Sequence, residues 1–306
     1  MNEERARDRV SCSTYAYSRW ELADALASIA RVGYRGVEIL TQPLRRPDGH
    51  GGQQPHAHLR PDWPDGRIAA VQEQLGRLRL QPVCLSPSTD FLQPHYGSVQ
   101  AEIDEVCRTV DLAVRLGAPL VRPFATDAVP EGMDRAAAIG AIGEALRACG
   151  RYAEARGARI AVENHGVFPG VAQNMADILR AAGSPAVGLC LHIPRDTAEQ
   201  LVDLVPDKIW HMHLSDQRPA IWRDVQHLRR QGLSDTEIAA RLDVRPTDLP
   251  PEGIALGEGG ADLPAIVAAI RRTGYAGWWN HEGSPEADPE PTEQRSFAYL
   301  TSLLAA

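Results

Sequence analysis

Eight short apolar runs, each followed by a longer amphipathic segment, set the fold of this chain more tightly than any other feature. The runs are RVSCS (9–13), GVEIL (36–40), PVCLS (82–86), PLVRPF (119–124), RIAVEN (159–164), VGLCLH (187–192), IWHMHLS (209–215) and GWWNHE (277–282). Apolar repeats at helical spacing between and after them predict helices over 20–31, 66–78, 99–116, 134–156, 174–182, 197–205, 263–273 and 292–304. Strand followed by helix, eight times over, is the pattern of a parallel sheet closed on itself, a (β/α)8 TIM barrel. A doubly wound open sheet is the alternative, but no Gly-x-Gly-x-x-Gly follows the first strand. The alternation continues to the end, so the 306 residues are expected to form a single domain, 1–306. Glycine closes several helices just before the next strand, as in LGAP at Gly117, where a left-handed cap residue is easiest without a Cβ.

Two connections are too long for turns, 41–67 after strand two and 217–260 after strand seven. Both leave a strand's C-terminal end, the barrel face that carries sites, so they read as lids or substrate walls. The second is expected to be a helical insertion that doubles as a candidate contact in a homo-oligomer. Its segment RRQGLSDTEIAARLDVRPTDL (229–249) also has the form of a DNA-reading helix-turn-helix. A net charge of −8 and a net of only +2 over 218–245, six Arg against four acids, argue against nucleic acid as partner.

The amino terminus MNEERARDRV has no apolar segment, and no run of about 18 apolar residues follows, so neither a leader nor a membrane span is expected. Five cysteines are odd in number, widely spaced and without a Cys-x-x-Cys pair. They read as buried thiols in a reducing, cytoplasmic compartment rather than as disulfides.

The last residues of strands five to eight supply Glu163, His192, His213 and Glu282, each able to bind a metal. Strand alternation turns Glu163 and His165 one way, and His211 and His213 together, while His281 faces away from Glu282. Two imidazoles and two carboxylates suit one divalent ion of the Mn, Fe, Co or Zn kind, with manganese the first choice, better than the all-oxygen preference of Ca or Mg. His165 is read as an extra acid–base group, and Glu38 and Asp216 as groups that touch substrate or orient the ligands. His50, His56 and His58 lie in the loop after strand two, where a His-x-His metal reading is the weaker one.

The segments VGYRGVEI, IAVENHG, VGLCLHIPR, WHMHLSD and LGEGGADLPAIVAAIRRTGYAGWWNHE resemble the xylose-isomerase-like barrel superfamily of sugar and sugar-phosphate isomerases and epimerases. In that family Glu, Asp, His and Glu from strands five to eight hold one metal, which the resemblance carries to Glu163, His192, His213 and Glu282. His192 stands where the family has Asp. Arg195 stands where many relatives carry a substrate-binding His, and Pro169 where keto-sugar epimerases carry a further Glu, so specificity does not transfer. Arg195 reads as a clamp for a carboxylate or phosphate, or as a helix cap.

The resemblance implies proton transfer through an enediolate on a carbohydrate-like hydroxy-ketone, with Glu163 and Glu282 as the two acid–base carboxylates. Return of the proton to the neighbouring carbon isomerises, and return to the other face epimerises. A leaving group on the neighbouring carbon makes the same chemistry a lyase or dehydratase, keto-glycoside cleavage included. The third alternative is a metal-free pseudoenzyme or partner subunit.

Overall fold

The computed structural model describes residues 8–41, 58–193, 198–251 and 253–306. Eight parallel strands close into a barrel in chain order: β1 (Val10–Ser13), β2 (Gly36–Leu40), β3 (Gln81–Ser86), β4 (Leu120–Val121), β5 (Arg159–Glu163), β6 (Val187–Ile193), β7 (Ile209–Leu214) and β8 (Trp279–His281). Helices α1 (Leu22–Val32), α2 (Asp65–Leu78), α3 (Val99–Leu116), α4 (Arg135–Glu154), α5 (Ala172–Ala182), α6 (Ala198–Leu204), α9 (Leu263–Arg272) and α10 (Glu290–Ala305) form the outer ring. Two further helices, α7 (Trp222–Arg230) and α8 (Asp235–Leu242), belong to the insertion between β7 and β8.

Helix α3 shows how the sequence sets these elements. The Ser98 side chain accepts a hydrogen bond from the Ala101 amide at its start, and Gly117 ends it at φ 79°, a left-handed conformation that a Cβ would penalise. Between those caps Val106, Val110 and Ala113 recur at helical spacing and are buried against the sheet. The main core lies in this way between the strands and the helix ring.

Two strands are shorter than the apolar runs that predict them. Pro119 and Pro123 bracket β4 and offer no amide hydrogen, so its ladder reduces to Leu120 and Val121 and resumes as one bridge between Phe124 and Glu163. At β8, Trp278 leaves the ladder and packs with Trp210 on Val83, Cys84, Leu120, Ala161 and Cys190. These indoles need facing residues without side chains: a Cβ on Gly188 would fall 2.4 Å from the Trp210 ring, and one on Gly36 would fall 2.7 Å from Trp278.

The insertion has a small core of its own, Val225, Leu228 and Ile238. A reciprocal capping box between Ser234 and Glu237 starts α8. Among the described residues no helix is long and apolar enough to cross a membrane.

Candidate metal centre at the barrel mouth

Alternation along the strands stacks two polar layers inside the barrel. Cys190 and His192 on β6, His211 and His213 on β7, and Asn280 and Glu282 at β8 are each two residues apart and share a direction. The register aligns His192 with His213 and His213 with Asn280. The second member of each pair lies nearer the C-terminal mouth, where Glu163 ends β5.

Glu163, His192, His213 and Glu282 bring one candidate ligand atom each to within 4.8 Å of the others. His213 Nδ1 is 3.3 Å from Glu163 Oε2 and 3.3 Å from Glu282 Oε1. His192 Nδ1 is 2.8 Å from Glu163 Oε1 and 3.4 Å from Glu282 Oε2. Glu163 Oε2 and His213 Nδ1 are buried, and neither has a partner in hydrogen-bond geometry. Two orphaned buried donor atoms aimed at one point, in a set of two imidazoles and two carboxylates, fit a divalent cation. The set would hold the ion without an aspartate from β6, because His192 Nδ1 occupies that place.

The electrostatics of the metal-free centre agree with this geometry. Burial alone would raise the Glu163 carboxyl, but the Arg122 guanidinium and His213 hold it well below the usual carboxylate range. Burial also opposes the Glu282 carboxylate, and His213 brings it down. Burial disfavours a charged His213, yet Cys190, Glu282, Glu38 and Glu163 together push it well above an ordinary histidine. A cation bound at His213 Nδ1 therefore competes with a proton that the surrounding carboxylates favour. Uptake of the ion is expected to release protons from His213, so affinity falls as pH falls. Calorimetry in two buffers of different ionisation enthalpy measures this, and a buffer-independent heat would contradict it.

Glu38, expected to touch substrate or orient the ligands, does not reach the mouth. It is fully buried one layer down. His211 Nε2 and His213 Nε2 each donate to its Oε2 at 2.8 Å, Asn280 Nδ2 donates to the same oxygen at 2.9 Å, and Ser86 donates to Oε1. Its work is to fix both imidazoles with Nδ1 free, the carboxylate–histidine pairing that orients metal ligands.

The Asp216 carboxylate is engaged by backbone amides. Its Oδ1 accepts from the Gln217 and Ala261 amides at 2.7 and 3.0 Å, and its Oδ2 from the Gly257 amide at 2.7 Å. It clamps the turn that leads into α9. His165 does reach the mouth: it is 39% exposed, with Nδ1 3.6 Å from Glu163 Oε1 and Nε2 3.6 Å from Asp127 Oδ1. His281 faces outward, 2.8 Å from Glu293. His58 is buried against the carbonyls of Tyr17 and Trp20, each 3.1 Å from Nε2. Arg195, His50 and His56 lie outside the described residues.

The sequence reading missed Arg122. Its buried Nε lies 3.3 Å from Glu163 Oε2 and 3.7 Å from Glu38 Oε1, and its guanidinium stacks 4.2 Å over the Phe124 ring. The signal was available: an arginine inside the apolar run PLVRPF is buried, and a buried charge needs a partner. Arg218 was missed as well. It stacks 4.4 Å over Trp222 and donates to Ser284 Oγ at 2.5 Å, at the root of the insertion.

Comparison with known proteins agrees with this architecture. No curated protein matches the chain. Among solved structures it is similar to L-ribulose 3-epimerase, with 16% identity, 97% of this chain and 94% of that one covered, and a TM-score of 0.68. It is similar to the probable 3-DHS dehydratase AsbF from Bacillus anthracis, with 13% identity, coverages of 96% and 98%, and a TM-score of 0.69. A xylose isomerase-like TIM barrel protein from Mycobacterium smegmatis in complex with magnesium matches with 14% identity, coverages of 97% and 96%, and a TM-score of 0.65. At these identities the likeness is one of fold. The profile of the family described as xylose isomerase-like TIM barrel matches residues 26–303, nearly the whole barrel, and the chain belongs to that family.

Proposed function

We propose that this protein is a divalent-metal-dependent isomerase or epimerase acting on a carbohydrate-like hydroxy-ketone. The observation that carries the reading is the placement of two carboxylates, Glu163 and Glu282, each 3.3 Å from His213 Nδ1 at the mouth of the barrel. A divalent ion in that set, manganese first and iron, cobalt or zinc after it, would polarise a substrate carbonyl and its neighbouring hydroxyl and acidify the C–H between them.

The two carboxylates are not equivalent. Glu163 is fully buried and faces Arg122, which stabilises its charge and makes it a weak base. Glu282 makes no ion pair with an arginine among the described residues, Arg122 and Arg218 acting on it only from farther away, and 13% of its side chain is exposed. Glu282 is therefore the group that takes the proton, and Glu163 anchors the site and faces the substrate from the other side. His165, beside Glu163 and open to solvent, is placed to donate to a substrate oxygen. Where that oxygen is a leaving group, the same arrangement serves elimination, which makes a lyase the second reading.

The test is proton exchange. Incubated in deuterium oxide with a panel of keto-pentoses, keto-hexoses and keto-glycosides, the metal-loaded protein should place deuterium on the carbon next to the carbonyl of at least one, seen by NMR. A new sugar identifies isomerisation or epimerisation, and an unsaturated product identifies elimination. Absence of exchange with every member contradicts both readings.

A further inference from the structure

A carboxylate buried outside the barrel has no part in the proton-transfer reading. Glu293, on α10, is 1% exposed and lies against the outer faces of β1 and β8, where a charge needs partners. Its Oε2 gathers three donors: the Tyr34 hydroxyl and His281 Nδ1 at 2.8 Å each, and Cys12 Sγ at 3.3 Å. Burial and the neighbouring Glu293 push the Cys12 thiol and the Tyr34 hydroxyl well above their ordinary values, so both keep their protons and donate. Oε1 is buried without a hydrogen-bond partner and is turned to Gly283, where a Cβ would fall 2.6 Å from it.

These contacts fall on either side of Glu282, since His281 precedes it and Gly283 follows it. The ladders of β8 end at His281, which pairs with Cys12 of β1 and Leu214 of β7. Glu282 therefore stands one residue beyond the sheet, tied by its amide to the Leu214 carbonyl at 2.9 Å. Alternation turns Glu282 into the mouth when His281 is turned out, so what fixes the histidine also fixes the carboxylate. A site residue past its strand end points only as accurately as the groups behind it are held.

We infer that Glu293 is a positioning residue for Glu282: by binding His281 and bearing on Gly283 from outside the barrel, it holds the Glu282 carboxylate toward His192 and His213. The inference rests on the reading of Glu282 as ligand and base. Glu293 itself lies outside the barrel, away from the ligand atoms. Its contact also ties the mouth to the last helix of the ring.

The test is calorimetric titration of the metal-stripped full-length protein with manganese. Glu293→Ala frees His281 and is expected to weaken binding about 10–100-fold, the usual cost of losing a group that orients a ligand. Glu293→Gln keeps an oxygen for the His281 donor and should stay within a few-fold of wild type. Tyr34→Phe takes a donor from the same oxygen but leaves His281 bound, so it should lower stability in urea without weakening the metal. Gly283→Ala, whose methyl would press on Glu293 Oε1, should weaken binding with Glu293 in place, and it carries the test if Glu293→Ala does not fold. Unchanged binding in Glu293→Ala or in Gly283→Ala overturns the proposal, as does a Glu293→Gln variant no better than Glu293→Ala. A loss in Tyr34→Phe as large as that in Glu293→Ala also overturns it, because metal binding would then follow stability alone. Glu282→Gln, titrated alongside, separates the two readings. Weakened binding there with wild-type binding in Glu293→Ala defeats the positioning role only, whereas wild-type binding in Glu282→Gln, or none in the wild type, defeats the reading of Glu282 as well.

Discussion

Replacing Glu282 by glutamine is expected to lower deuterium incorporation into a keto-sugar substrate by about 10²–10⁴-fold, the usual contribution of a positioned acid–base group. Glutamine keeps the shape and one oxygen but cannot take a proton. It also removes one of the two carboxylates that flank His213. Loss of metal and loss of base are told apart by measuring exchange at saturating metal: a rate restored to within a few-fold of wild type would make Glu282 a ligand only. Glu163→Gln under the same conditions should cost less in exchange and more in metal affinity, because Arg122 already holds the Glu163 charge in place. An equal effect of the two substitutions on both measurements would contradict the division of roles.

Arg122→Met is expected to give the largest loss of stability of any single change at the site. The guanidinium is 3% exposed and lies between Glu163 and Glu38, both at least as deeply buried. Methionine fills much of the volume but removes the guanidinium from Glu163 and Glu38, leaving them only their histidine, asparagine and serine neighbours. Breaking a buried pair in this way costs about 3–5 kcal/mol. Urea unfolding of the metal-free protein measures it. Adding Glu38→Gln to Arg122→Met should recover part of the loss, since one uncompensated charge is then gone. A loss below about 1 kcal/mol, or strict additivity in the double variant, would show that the carboxylates do not depend on Arg122.

The barrel was legible because each of its parts carries a local signal. Short apolar runs, helical repeats such as Val106, Val110 and Ala113, and glycine at helix ends all agree on the same connectivity. The departures are local too. Pro119 and Pro123 cut β4 to two residues because they withhold ladder donors, and Trp278 leaves β8 because Gly36 gives its ring room.

The site was legible in a different degree. Reading the last residue of strands five to eight collects Glu163, His192, His213 and Glu282, and the structure brings these four side chains to one point. The depth of a strand-end acid is not a local property. Glu38 follows a break in the β2–β3 register after Val37 and sinks to the layer where His211, His213 and Asn280 can donate to it. Asp216 is captured by amides more than 40 residues later in the chain. Both read as acids that touch substrate or orient the ligands, and the choice stayed open because their partners are distant in sequence. Arg122 was passed over for the opposite reason, since the apolar run around it reads as a strand and nothing in that run supplies the counter-charge.

The central claim, a cation held by the four strand-end residues, is tested most directly by elemental mass spectrometry on untagged protein purified without chelator. Wild type is compared with His192→Ala and Glu282→Ala, all three shown to be folded. Each variant is predicted to contain about one divalent ion per chain fewer than the wild type. Ion content unchanged in both variants, or below about a tenth of an equivalent in wild type even after metal is added, would contradict the claim and leave the barrel a metal-free binding subunit.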